Sequence, residues 1–221
     1  MSPVKKFLWA LRRTLGQSPM QRVLRELERR GLRLHEMTAL EVFAHCGFLH
    51  SKDYHRRVAS LEAWELDPQQ EAELRRNLPG AEVKITDSYA EIRKTPRKYA
   101  LIIIDAPENI YGDRGQYCEH FHMLPEVLRA AADSAVLILN ALVGYPTGKG
   151  AKRQLTKDQL DQRRLFYETD HPEMVPLEDM APVYWRLLNA HGFELEWYFT
   201  VPRTLDQRLH YYVLKIKRRP T

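Results

Sequence analysis

Between Thr38 and Asn140 the apolar positions fall into short blocks separated by polar stretches with helical spacing. The blocks at 38–44, 61–66, 81–86, 99–105 and 134–140 predict strands, and the stretches at 48–58, 68–77, 88–94 and 120–132 predict the helices between them. "ALIIID" and "AVLILN" are apolar without alternation, the pattern of strands covered on both faces, and helical crossovers make such strands parallel. Ahead of this unit, Phe7, Leu8, Leu11 and Leu15 recur at helical spacing. A second helix is framed by Ser18 as cap, Pro19 at its first position and Gly31 as its stop.

The last third has a different pattern. A polar, basic stretch from 147 to about 170 predicts a partly helical insertion, followed by a helix from Leu177 to Gly192. Two strands, "FELEWYFTVP" and "LHYYVLKIKR", are joined only by "RTLDQR", a link too short for a crossover, so they are antiparallel neighbours. The expected fold is α/β: a doubly wound, mostly parallel seven-stranded sheet with a C-terminal antiparallel hairpin, preceded by two N-terminal helices. Residues 1–36 are expected to form the helical extension and 37–221 one domain, with an insertion at about 145–176.

Composition narrows the setting. A chain of 221 residues with 44% hydrophobic content can bury one sizeable core. "FLWAL" is cut short by Arg12 and Arg13, and no run approaches the roughly 20 apolar residues that cross a bilayer, so a soluble, cytoplasmic protein is expected. Cys46 and Cys118 are too few for a disulfide framework and are expected as thiols. The net charge of +5 is uneven: residues 1–37 carry nine Lys/Arg against three Glu, and further clusters lie at Lys149–Arg164 and Lys215–Arg219. Such patches suit phosphate-rich partners, RNA among them, or simply a well-solvated surface.

In an open parallel sheet, ligands bind beyond the carboxyl ends of the strands. The first four strands end on Glu41 and "FAHCG", on Glu65, on Asp87 with Ser88, and on Asp105. An acid 18 residues past Gly47 suits ribose hydroxyls, and an acid beside a hydroxyl suits an adenine amino group. Each acid taken singly is equally at home as a helix cap. A dinucleotide needs glycines that let backbone N–H groups reach its pyrophosphate. Glu41, Phe43 and His45 crowd that loop instead, and a carboxylate there repels phosphate while welcoming a sulfonium or an ammonium.

At these residues the chain resembles the class I S-adenosylmethionine-dependent methyltransferases, over roughly Met37 to Lys217. The resemblance is most specific in "LEVFAHCG", "WELDP", "ITDS" and "LIIIDAP", the first being closest to the variant D-x-F-x-G-x-G. It implies that S-adenosylmethionine is bound with Glu41, Ala44 and Gly47 at its amino-acid end, Phe43 as the variant's usual phenylalanine and His45 in a glycine slot. Glu65 would hold the ribose, and Asp87 with Ser88 would face adenine. "DAPENIYG" keeps Asp105 and Pro107 of the D/N-P-P-Y/F motif of base-amino methylation but carries Ala106 and Glu108 elsewhere. A small-molecule or glycan hydroxyl or amine is therefore the preferred acceptor over RNA.

Asp105 is the expected positioning group, with His120 or His122 as a base that titrates near neutrality, or alternatively as the solvated start of a helix. Glu108, Tyr111, Tyr145 and Lys149 are the candidate substrate contacts. Asp105 and Asn140 offer only two oxygen ligands, so no metal is expected. "GYPTGKGAK" lacks phosphate-loop spacing. Three competing readings remain: a fold of this type without methyl transfer, serving as a basic RNA-binding or scaffold subunit; aminopropyl transfer; and a nicotinamide dehydrogenase.

Overall fold

The computed structural model describes residues 10, 11, 13–145 and 154–220. Residues 10, 11, 13 and 14 are helical, Leu15 and Gly16 form a turn, and the start of the first expected helix, with Phe7 and Leu8, lies outside the described residues. Helix α1 spans Pro19–Arg29 and is closed by a capping box, with Ser18 accepting from the Gln21 amide and Gln21 reaching back to Ser18. Its Met20, Val23, Leu24 and Leu27 are buried.

The central sheet is built from β1 (Thr38–Glu41), β2 (Ser60–Glu65), β3 (Glu82–Ile85) and β4 (Tyr99–Ile104), followed after a small hairpin, β5 (Ile110–Tyr111) with β6 (Tyr117–Cys118), by β7 (Ala131–Leu142), β8 (Phe193–Pro202) and β9 (Leu209–Arg218). Its order is β3-β2-β1-β4-β7-β9-β8. Strands β1, β2, β3, β4 and β7 are parallel, and β9 lies antiparallel between β7 and β8. The sheet thus has seven strands and ends in the expected hairpin.

The crossovers are α2 (Ser51–Tyr54), α3 (Glu71–Asn77, after a 3-10 turn at Pro68–Gln70), α4 (Ser88–Ile92) and α5 (Met123–Ala130); α6 (Lys157–Tyr167) and α7 (Leu177–Ala190) follow β7. Strand periodicity divides the core in two. Leu101 and Ile103 of β4, Val136 and Ile138 of β7 and Val213 of β9 pack with α1, α2 and α3 on one face. Ile102, Ile104, Leu137, Leu139 and Leu214 pack with α4, α5 and α7 on the other. Because both faces are covered, the strands read as continuous apolar runs.

Two elements depart from the sequence pattern. The helix expected at 48–58 contracts to the four residues of α2, with turns on either side of it, the preceding ones following the left-handed residues His45 and Gly47. The hairpin β5–β6 has strands too short to leave a periodic signal. No helix among the described residues is long and apolar enough to cross a membrane.

Candidate active site

Strand order reverses at β1 and β4, whose next connections run in opposite directions along the sheet. Beyond their carboxyl ends lies a cavity of about 910 Å³. The first loop supplies Phe43, Ala44, His45 and Gly47, β2 supplies Glu65, the start of α4 supplies Asp87 and Ser88, and β4 supplies Asp105. The β5–β6 hairpin closes one side with Tyr111 and Tyr117.

The first loop turns back on itself through two left-handed residues. Gly47 has φ +67°, and a Cβ there would lie 2.8 Å from Leu74 Cδ1 and 2.9 Å from Leu78 Cγ, so only glycine lets the loop lie on α3. His45 adopts φ +46° without being glycine. Its ring turns back to accept the Cys46 amide at Nδ1 (2.7 Å), and it stays exposed at the rim. The backbone therefore follows a glycine-like path, with the imidazole folded against its own loop.

Glu65 shapes this loop from below: Oε2 accepts the His45 amide at 2.7 Å and Oε1 the Asp67 amide at 2.9 Å. A carboxylate has about four acceptor sites, so two remain for ligand hydroxyls. Asp87 caps α4 through Oδ1, accepting the Tyr89 amide at 2.9 Å, and Asp67 caps the 3-10 turn by accepting from Gln69. Both thus act as helix caps, and Asp87 also lines the cavity. The Ser88 hydroxyl donates to the Val42 carbonyl, which ties α4 to the first loop.

Glu41 is placed differently from its neighbours. It is fully buried beneath the cavity rather than on its wall, accepts from Ser51 Oγ at 3.0 Å and has the Tyr54 hydroxyl beside it. Burial pushes its carboxyl up to about 7, against the opposing pull of His50. Asp105 is held from two sides, by Arg203 from the β8–β9 turn and by His50 Nε2. Burial works to raise its pKa, but Arg203 and His50 override this and hold it below the usual carboxylate range.

Four residues that support the site were not singled out in the sequence. His50 lies at the start of α2, three residues past Gly47, the interval that closes a G-x-G-x-x-G pattern and the one available signal for it. Arg203 comes from the C-terminal hairpin, and nothing local marks its partnership with Asp105 across the chain. Arg13 bonds Asp53 Oδ1 at 2.7 Å and the carbonyls of Phe48 and Leu49, so the N-terminal extension clamps the loop that carries His50. Asp53 also accepts from Ser18 Oγ at 2.6 Å.

The remaining expected residues lie elsewhere. His120 is fully buried outside the cavity wall, bonded through Nε2 to the Tyr184 hydroxyl at 2.9 Å, and burial pushes it down to about 3. His122 packs edge-on against Tyr117 behind the wall and is likewise lowered by burial. Glu108 and Tyr145 meet each other at 2.9 Å, together with Arg208, in a roof cluster rather than on the wall. Gln159 of α6 joins it by donating to the Glu108 carbonyl. Of the three substrate candidates among the described residues, Tyr111 alone lines the cavity, donating to the Glu119 carbonyl and pairing with the Tyr89 hydroxyl at 3.0 Å. Lys149 lies outside the described residues. Asn140 donates its amide to the Ala106 carbonyl.

Among the described residues the wall carries five carboxylates, Glu65, Glu73, Asp87, Asp105 and Asp113, and no lysine or arginine. Tyr89 and Tyr117 stack at 3.8 Å, and Phe43 meets Tyr111 edge-on at 5.9 Å, giving one apolar, aromatic side. Such a cavity disfavours phosphate and suits a ligand with positive charge and flat rings.

The fold recurs among solved structures. M. jannaschii TYW2, solved in complex with AdoMet, matches with a TM-score of 0.52 at 13% identity, over 88% of this chain and 75% of its own. The 1,6-didemethyltoxoflavin-N1-methyltransferase of Burkholderia thailandensis, solved with 1,6-didemethyltoxoflavin and S-adenosylhomocysteine, matches with 0.52 at 12% identity, over 91% and 79%. The Escherichia coli protein yhhF, described as a candidate methyltransferase, matches with 0.51 at 14% identity, over 92% and 86%. At these identities the likeness is one of fold: a Rossmann-like α/β sheet shared with methyltransferases. No protein-family model matches the sequence, and no curated protein matches it.

Proposed function

We propose that the protein is an S-adenosylmethionine-dependent methyltransferase acting on a hydroxyl or amine of a small molecule or glycan. One observation carries the reading: among the described residues, a cavity at the strand-order reversal is lined by carboxylates from successive strand ends and by no lysine or arginine. A dinucleotide would meet five carboxylates with its pyrophosphate, whereas a sulfonium and an ammonium are drawn to them. The volume falls within the range of about 300–1,000 Å³ usual for small-ligand sites. Relatives by fold that were solved with AdoMet or S-adenosylhomocysteine support the same cofactor.

In this reading Glu65 offers its remaining acceptor sites to the ribose, and Asp87 faces the adenine amino group with its second oxygen. The backbone at Ala44–Gly47 lies along the amino-acid arm. Glu41 acts from beneath, by placing Ser51 and His50. When bound, the cofactor supplies a methyl group on positively charged sulfur. The protein's part is to align an acceptor with that methyl and to exclude water, using the Phe43–Tyr111 side of the cavity.

The test is transfer of tritium from methyl-labelled S-adenosylmethionine into separated fractions of small metabolites, oligosaccharides and RNA. Label in either of the first two, with a product mass showing a methyl rather than an aminopropyl gain, is expected. Label confined to RNA would overturn the acceptor class. Absence of cofactor binding would overturn the activity and leave the scaffold reading.

A further inference from the structure

In the buried ion cluster under the cavity, Glu41 and His50 each keep a buried polar atom without a hydrogen-bond partner, and of the two only His50 lines the cavity. His50 lines the cavity, yet its side chain is only 6% exposed. Nε2 is bonded to Asp105 Oδ2, while Nδ1 is buried with no hydrogen-bond partner. An imidazole nitrogen left unpaired in such a place is unfavourable unless a ligand completes it. The groups facing the ring are Glu41 from β1, with Oε1 3.8 Å from Nε2, Asp105 from the end of β4, and Arg203 and Tyr211 from the C-terminal hairpin.

We propose that His50 takes the proton of the methyl acceptor at Nδ1, held for this by Asp105 in the tautomer that carries hydrogen on Nε2. Arg203 fixes the Asp105 carboxylate from the opposite side, so Asp105 and Arg203 are positioning residues and His50 the base. The logic is that of a carboxylate orienting an imidazole so that its far nitrogen is free to accept.

The inference rests on the methyl-transfer reading, and the charges balance within it. As the acceptor's oxygen or nitrogen forms its bond to the methyl carbon, the carbon–sulfur bond breaks and its electron pair stays on a neutral thioether. The acceptor's proton passes to Nδ1. One positive charge disappears from sulfur and one appears on the imidazolium, against Asp105. Arg203 and Asp105 already offset each other. Glu41, raised to about 7 by burial, is only partly ionised at pH 7. The five-carboxylate wall, by contrast, welcomes the cation during the step.

The test pairs spectroscopy with kinetics. Long-range 15N-histidine spectra of the full chain saturated with S-adenosylhomocysteine are expected to show His50 protonated at Nε2 alone between pH 7 and 8. The Asp105→Asn variant is expected to move the hydrogen to Nδ1. An imidazolium protonated on both nitrogens through that range would overturn the proposal, and the wild-type spectrum decides this even if Asp105→Asn fails to fold. His50→Gln is expected to bind S-adenosylhomocysteine within twofold of wild type and to transfer label into a deproteinised metabolite extract roughly a hundredfold or more slowly. An undiminished rate, or a collapse of cofactor affinity, would overturn the role of base while leaving methyl transfer standing. Failure of wild type to bind S-adenosylhomocysteine would instead strike the functional reading itself.

Discussion

Single side chains at the first loop show how burial reassigns residues whose types are plain in the sequence. Glu41 reads as a ligand for a cation, but one position of strand alternation puts it under the cavity, where its second oxygen has no partner. Its folded pKa, raised to about 7, lies above the ordinary value near 4.5. The folded state therefore holds a proton that the unfolded chain releases, and stability fully present below about pH 4.5 is lost as pH rises through 7. Glu41→Gln is expected to melt with wild type at pH 5 and several degrees above it at pH 8; a variant that melts lower at pH 8 would mean an ionised Glu41 paired with a charged His50. Two left-handed residues in the same loop behave oppositely. Gly47→Ala is expected to lose about 1–3 kcal/mol in urea unfolding, because the new Cβ meets Leu74 and Leu78. His45→Gly relieves about 1–2 kcal/mol of left-handed cost and gives up one hydrogen bond of similar size, so stability within about 1 kcal/mol of wild type is expected.

Elements were legible where burial on both faces made the sequence simple. β4 and β7 are continuous apolar runs, and the shortness of "RTLDQR" fixed the antiparallel pairing of β8 with β9. Long-range polar anchoring was not legible, because no local pattern announces it. Arg163 is the clearest case: it reads as part of a basic surface cluster, but it is fully buried, with Nη1 2.7 Å from Glu119 and bonds to the carbonyls of Leu142, Val143 and Pro172. It plugs α6 into the carboxyl end of the sheet, so this part of the insertion is a built roof. Arg163→Met leaves Glu119 buried without its counter-charge, and a loss of about 3–5 kcal/mol is expected, with early protease cleavage around α6. Unchanged urea stability would show that the roof is not anchored there. Arg13 has the same character for the loop that bears His50, and its sequence context shows only another arginine in a basic extension.

The whole molecule brings four strand ends to one place, and that convergence was readable because parallel topology dictates it. Glu65, Asp87 and Asp105 meet around one cavity despite being spread over some forty positions of chain. Of their partners, His50 had only its interval after Gly47 to mark it, and Arg203 could not be read, because it is chosen by distance in the fold rather than by spacing. The fold also explains the misplaced base: His120 precedes α5, whose packing turns it toward Tyr184 and away from the cavity. The central claim is that acidic strand ends together hold a positively charged adenosyl ligand. Its most direct test is calorimetric titration of S-adenosylmethionine into the full chain and into Glu65→Ala, with NADH as the phosphate-bearing control. One-to-one binding by the wild-type chain, weakened at least tenfold in Glu65→Ala and absent for NADH, is the predicted result; no heat with S-adenosylmethionine, or tighter binding of NADH, would contradict the account.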